Sequence, residues 1–153
     1  MNIIVKRFLL AITLMITLIT PGIATENGAM TTVKAYSAYD YSQTRSRLMQ
    51  AVADNDLVLF GEFDHARAAQ KSNLKMPPTT VLVLGNPEGG TPLMLAYPEL
   101  ALDLPFRVLI SQQPDGRVLV SYHPAETLQR YGIDAAAIQA LKKLEQLVEK
   151  SIH

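Results

Sequence analysis

The chain has 153 residues, with 14 basic and 14 acidic side chains, three histidines and no cysteine. That length suits one hydrophobic core, and the lack of cysteine excludes a disulfide framework, thiolate metal sites and a cysteine nucleophile. Removing the leader residues Lys6 and Arg7 from the 14 basic residues leaves 12 against 14 acidic ones, a net charge near −2 that argues against nucleic acid as a partner.

Lys6 and Arg7 form a short basic start, and Phe8 to Ile19 contains only apolar side chains and threonine before Thr20-Pro21-Gly22 breaks the run. The run is too short to span a bilayer comfortably, and Gly22-Ile23-Ala24 offers the small residues that a signal peptidase reads. Residues 1–24 are therefore expected to be a signal peptide, and no membrane association is expected after cleavage. Residues 25–31 are expected to form a short polar tether and 32–153 a single domain, placing the protein in the periplasm or outside the cell.

Thr32 to Ser37 alternates Val33, Ala35 and Ser37 against Thr32, Lys34 and Tyr36, the period of a half-buried strand. From Tyr41 the spacing turns helical through Thr44, Leu48, Ala51 and Val52, with Asp40 or Ser42 as cap and Asn55-Asp56 as the end. Leu57 to Phe63 reads as a second strand, and Asp64 caps a short helix from His65 to about Ser72. After Pro77-Pro78, Thr79 to Leu84 is a third strand, and Gly85 to Gly90 is a turn. Thr91-Pro92 supplies an N-cap followed by proline at the first helical position, predicting a helix to about Tyr97.

Pro105 biases Leu104 toward an extended conformation. Phe106 to Gln112 and Arg117 to Tyr122 are strands joined by Gln113-Pro114-Asp115-Gly116, whose Asp-Gly pair signals a hairpin. Gly132 interrupts two helical patterns, and Asp134 caps the second, in which Ile138, Leu141, Leu144, Val148 and Ile152 form one apolar face. The predicted order is β-α-β-(α)-β-(α)-β-β-α: an α+β domain with a mostly antiparallel sheet and helices packed on one face.

Taken together in their order, Phe63-Asp64-His65, Gly85-Asn86-Pro87, Gly90-Thr91-Pro92-Leu93-Met94, Asp103-Leu104-Pro105 and the strand ending at Tyr122 resemble the domain of unknown function 302 family. The resemblance covers about Thr32 to Tyr131. It implies a compact α+β fold similar to the TATA-binding-protein arrangement, and a homodimer, without implying DNA binding.

The candidate ligand-binding residues are Asp64, His65, Asn86 and Asp103. A carboxylate beside an imidazole suits acid-base work or metal binding, although at a strand-to-helix junction the favoured reading is that Asp64 caps the helix while His65 packs or bonds to a neighbouring loop. Asn86 can bond a ligand or its own turn. Asp103 stands among leucines, so its carboxylate must be exposed or paired, with His65 or Arg107 as partner. The spacings of His65, His123 and His153 match no metal motif, and methionines such as Met76 and Met94 more often fill core gaps than bind copper, so neither metal nor cofactor is expected. The reading favoured by sequence is a non-enzymatic exported ligand-binding or accessory domain. Its rivals are a small hydrolase or isomerase using Asp64, His65 and Asp103, and a structural or protein-interaction module.

Overall fold

The structure, a computed structural model, describes residues 31–153. The expected signal peptide, and all of the expected tether except Thr31, lie outside the described residues. Within them, alternation and helical periodicity resolve into five strands, β1 (Val33–Tyr36), β2 (Val58–Asp64), β3 (Thr79–Gly85), β4 (Phe106–Gln112) and β5 (Val118–Tyr122). Four α-helices accompany them, α1 (Tyr41–Asp54), α2 (His65–Lys71), α3 (Pro87–Ala96) and α4 (Ala135–Ile152), with 3-10 segments at Pro98–Leu102 and Ala125–Tyr131. The strands form one antiparallel sheet in the order β1-β5-β4-β3-β2, an α+β architecture as expected.

The period of two decides which sheet face is covered. Leu82 and Leu84, Val108 and Ile110, and Val118, Val120 and Tyr122 point to the same side, where Leu48 and Val52 of α1 meet Val148 and Ile152 of α4. Hydrogen bonds tie the helices to their places. Arg47 Nε donates to the Ser151 carbonyl at 3.0 Å across the two helices, and the Tyr41 hydroxyl donates to Thr80 Oγ1 at 2.6 Å. Arg45 pairs with Glu62 of β2 through two bonds of 2.5 and 2.7 Å, and its guanidinium holds the Glu62 carboxyl below the usual carboxylate range. A second cluster, Leu100, Leu104, Ala125, Leu128, Ile133 and Ile138, sits where the 3-10 segments meet the first half of α4.

Local signals placed most boundaries. Asp40 caps α1 in a reciprocal box with Gln43, and Asp134 caps α4 by accepting from Ala137 N at 2.7 Å. Gly132, at φ +78°, breaks the chain between the second 3-10 segment and α4, a conformation that glycine adopts without steric penalty. The left-handed residue after α1 is Asp56 rather than Asn55.

The start of α3 corrects the sequence expectation. Asn86, not Thr91, is its cap, so the expected Gly85–Gly90 turn is largely helix and Pro92 lies inside it. Asn86-Pro87 is itself a cap followed by proline at the first helical position. The Asn86 side chain accepts from Glu88 N at 2.8 Å and its carbonyl from Gly90 N at 2.9 Å, so the helix begins directly after β3. The 3-10 turn at Pro98–Leu102 was not foreseen. The Leu104–Pro105 peptide that follows it is cis.

The opposite sheet face carries the cross-strand row Phe63, Val81, Leu109, Ser121 and Lys34. Val81 and Leu109 are half-buried, whereas the Phe63 ring is 57% exposed. That ring lies over Gly61, where a Cβ would stand 3.2 Å from it.

Candidate functional site

The four candidate residues are distributed over the sheet rather than gathered. Asp64 closes β2 opposite Thr80, whereas Asn86 follows Gly85, which pairs with Val58 at the other end of the same strand pair. Six residues of strand separate the two positions, roughly 20 Å at ~3.3 Å per residue. Asp64 caps α2, its Oδ1 accepting from Arg67 N at 2.8 Å. The imidazole of His65 is exposed and makes no hydrogen bond among the described residues. Asp64 and His65 therefore meet neither Asn86 nor Asp103.

Asp103 stands at the Asn86 end of the sheet, because β4 starts at Phe106 opposite Leu84. Its partners are neither His65 nor Arg107. Arg130 Nη2 donates to Asp103 Oδ2 at 2.6 Å, and the Tyr131 hydroxyl donates to the same oxygen. Arg130 also reaches the Tyr131 hydroxyl at 3.3 Å and lies over its ring, with 4.9 Å from guanidinium carbon to ring centre. The Tyr131 hydroxyl foremost, with help from the Asp103 carboxylate, raises the Arg130 guanidinium further above its usual range. This triad clamps the turn before β4 to the second 3-10 segment. Arg130 and Tyr131 are 27 and 28 residues from Asp103, and in sequence they carry no signal beyond an ordinary polar helix end.

Beside the clamp lies a cleft of about 420 Å³ at the junction of β4 and β5. Val81, Leu104, Leu109 and Leu128 supply apolar walls, while Asp103, Arg107, Ser121, His123 and Thr127 bring polar groups. Most of those groups are already bonded within the protein. The Thr127 hydroxyl donates to the Pro124 carbonyl at 2.7 Å, and His123 Nδ1 lies 3.3 Å from the Thr31 carbonyl. A carbonyl only accepts, so this contact is a bond when Nδ1 carries the proton, leaving Nε2 an acceptor in the neutral ring. Arg107 differs. Its guanidinium makes one long bond, 3.4 Å to the Leu102 carbonyl, and the Ser121 hydroxyl makes none among the described residues. With Asp103 neutralised by Arg130, the uncommitted charge in the cleft is the positive one on Arg107.

Residues 33–151, from the first strand through almost all of α4, match the family described as domain of unknown function DUF302. The chain belongs to the DUF302 family. The match runs through the terminal helix, beyond the stretch on which the sequence resemblance rests. The DUF302 fold is seen in the crystal structure of a conserved DUF302 protein from Bacillus stearothermophilus, which superposes with a TM-score of 0.67 at 16% identity, covering 81% of this chain and 97% of that one. This DUF302 chain is also 29% identical over 113 residues to proteins named fluoride-specific ion channel FluC 1 from Brucella suis and Brucella abortus. The similarity covers 73% of this chain but only 44% and 42% of those proteins, so this chain spans less than half of their length. No helix among the described residues is long and apolar enough to cross a membrane.

Proposed function

We propose that this DUF302 domain is an exported, non-enzymatic accessory domain that works as a homodimer and holds a small organic anion in the cleft beside Asp103. The observation that carries the reading is the pairing of an Arg107 guanidinium with no ion pair among the described residues, and a Ser121 hydroxyl with no bond among them, with apolar walls. A few convergent polar groups on an apolar lining are the usual make-up of a small-ligand site, and about 420 Å³ lies in the ~300–1,000 Å³ range of such sites. A planar guanidinium suits a carboxylate, which it can bind through two parallel bonds.

The accessory role is supported by the related stretch in the Brucella proteins, where it belongs to a polypeptide more than twice as long as the stretch itself. Export is supported by the basic start, short apolar run and helix breakers of residues 6–24. The exposed Phe63 ring on the edge strand β2, which does not line the cleft, offers apolar surface for a second copy. Native mass spectrometry of the exported fraction checks both claims: the expected species is a dimer of chains beginning at Thr25, and a monomer or an uncleaved chain contradicts the corresponding claim.

The ligand reading is tested by calorimetric titration of the purified protein with benzoate and with sodium fluoride. Benzoate is expected to bind saturably, and Arg107→Ala to weaken it by about tenfold or more, the effect of losing about 1.4 kcal/mol. Because Arg107 is exposed, its removal should leave the melting temperature within about 2–4 °C. Absence of saturable benzoate heat, or an unchanged affinity in the variant, sinks the assignment. A response to fluoride in place of benzoate would move the site toward the ion named for the Brucella proteins.

A further inference from the structure

The two hydrophobic clusters do not merge into one. Between them remains a second cavity of about 320 Å³, at the opening where α3 begins and α4 passes. Leu57, Phe106 and Leu144 on one side are packed against the sheet cluster. Leu93 and Met94 on the other belong with the 3-10 cluster. The cavity is therefore a seam between two cores, with methyl and aromatic surface on the sheet side and methyl and thioether surface on the other. Its rim is polar: Lys143 and Asn86 both line it. The Lys143 ammonium has no ion pair or hydrogen bond among the described residues, whereas its neighbour Lys142 is paired with Glu126. Asn86 uses its side-chain oxygen to cap α3, which leaves its amide N–H groups without a partner among the described residues.

We infer that this seam is a second ligand site, taking a short acyl carboxylate with its chain between the two clusters and its head at Lys143 and the Asn86 amide. The chemistry is complementary at both ends. An alkyl chain replaces water against half-exposed apolar side chains, and an ammonium and an amide N–H are donors that a carboxylate accepts. Gly89 lines the cavity, and a Cβ built there meets no heavy atom within 4 Å, so a side chain at this position has open space to enter. The site is distinct from the Arg107 cleft, although Leu104, Phe106 and Leu141 line both cavities.

The test is titration of the purified protein with octanoate, read on the methyl resonance of Met94. A saturable shift is expected, retained in Arg107→Ala, which separates this site from the benzoate cleft. Lys143→Met should weaken octanoate by about tenfold while leaving the affinity for 1-octanol unchanged, as the loss of one charged contact requires. Gly89→Leu should abolish the shift by filling the opening, and it favours the helix, so the variant is expected to fold. Failure to see a saturable Met94 shift in the wild type overturns the site. Equal octanoate affinity in Lys143→Met overturns the assignment of the head group.

Discussion

Leu82→Ala is expected to destabilise the protein by about 2–5 kcal/mol, measured by urea unfolding with an unchanged slope. Leu82 is fully buried in β3, between Val108 on β4 and Glu62 on β2, and belongs to the cluster that α1 and α4 cover. Truncation removes apolar area and leaves a cavity that two helices braced on a sheet cannot easily collapse. Against the ~5–15 kcal/mol total stability of a typical domain, that is a large fraction. Leu82→Met keeps most of the volume and should cost under about 1.5 kcal/mol. Leu95→Ala, at a side chain 79% exposed, should stay within about 0.5 kcal/mol. If Leu82→Ala behaved like Leu95→Ala, the covered face of the sheet would have been misassigned.

The second large effect is alkaline. The Tyr122 phenol is buried against Phe106, with ring centres 5.3 Å apart, and its hydroxyl lies 3.4 Å from Glu149 Oε1. Burial, followed by the Glu149 and Glu145 carboxylates, pushes its pKa from 10.0 up to about 12, since all three disfavour a phenolate. The folded state thus holds this proton more tightly than the unfolded chain does. The associated stability is fully present below the unfolded value of 10 and is lost as pH rises toward about 12. Two units correspond to about 2.7 kcal/mol at most, so a loss of roughly 2 kcal/mol across that window is expected.

Tyr122→Phe separates this contribution from the rest. At pH 7 the variant should lose under about 1 kcal/mol, because the bond to Glu149 is long. Above pH 10 its stability should fall less steeply than that of the wild type, and the two curves should meet and cross before pH 12. They should not become flat. Tyr41, raised mainly by burial, and Lys142, raised mainly by its bond to Glu126, lose stability in the same alkaline direction and remain in the variant. Parallel curves from pH 9 to 12 would show that Tyr122 is not the group responsible.

How much was legible before folding depended on the range of the interaction concerned. The hairpin between β4 and β5 was readable because Asp115-Gly116 closes it locally, with Gly116 at φ +85° and Asp115 accepting from Arg117 N at 3.0 Å. Strand β4 matched its expected bounds, and Asp64 proved to be the helix cap that its position at a strand end suggested. Competition between equal local signals was not readable. Asn86-Pro87 and Thr91-Pro92 are the same signature five residues apart, and hydrogen bonds available immediately after β3 selected the first.

The sequence by itself therefore determined the element order, most caps and turns, and the family, all of which rest on periodicity or on contacts a few residues apart. Only the tertiary structure decided where the candidate residues stand and what they bond. Antiparallel pairing of β2 with β3 carried Asp64 and His65 to one end of the sheet and Asn86 to the other, and Asp103 was claimed by Arg130 and Tyr131 from beyond β5. Those choices depend on which strand edges pair and where separate clusters fail to merge, and no short window of residues contains that information.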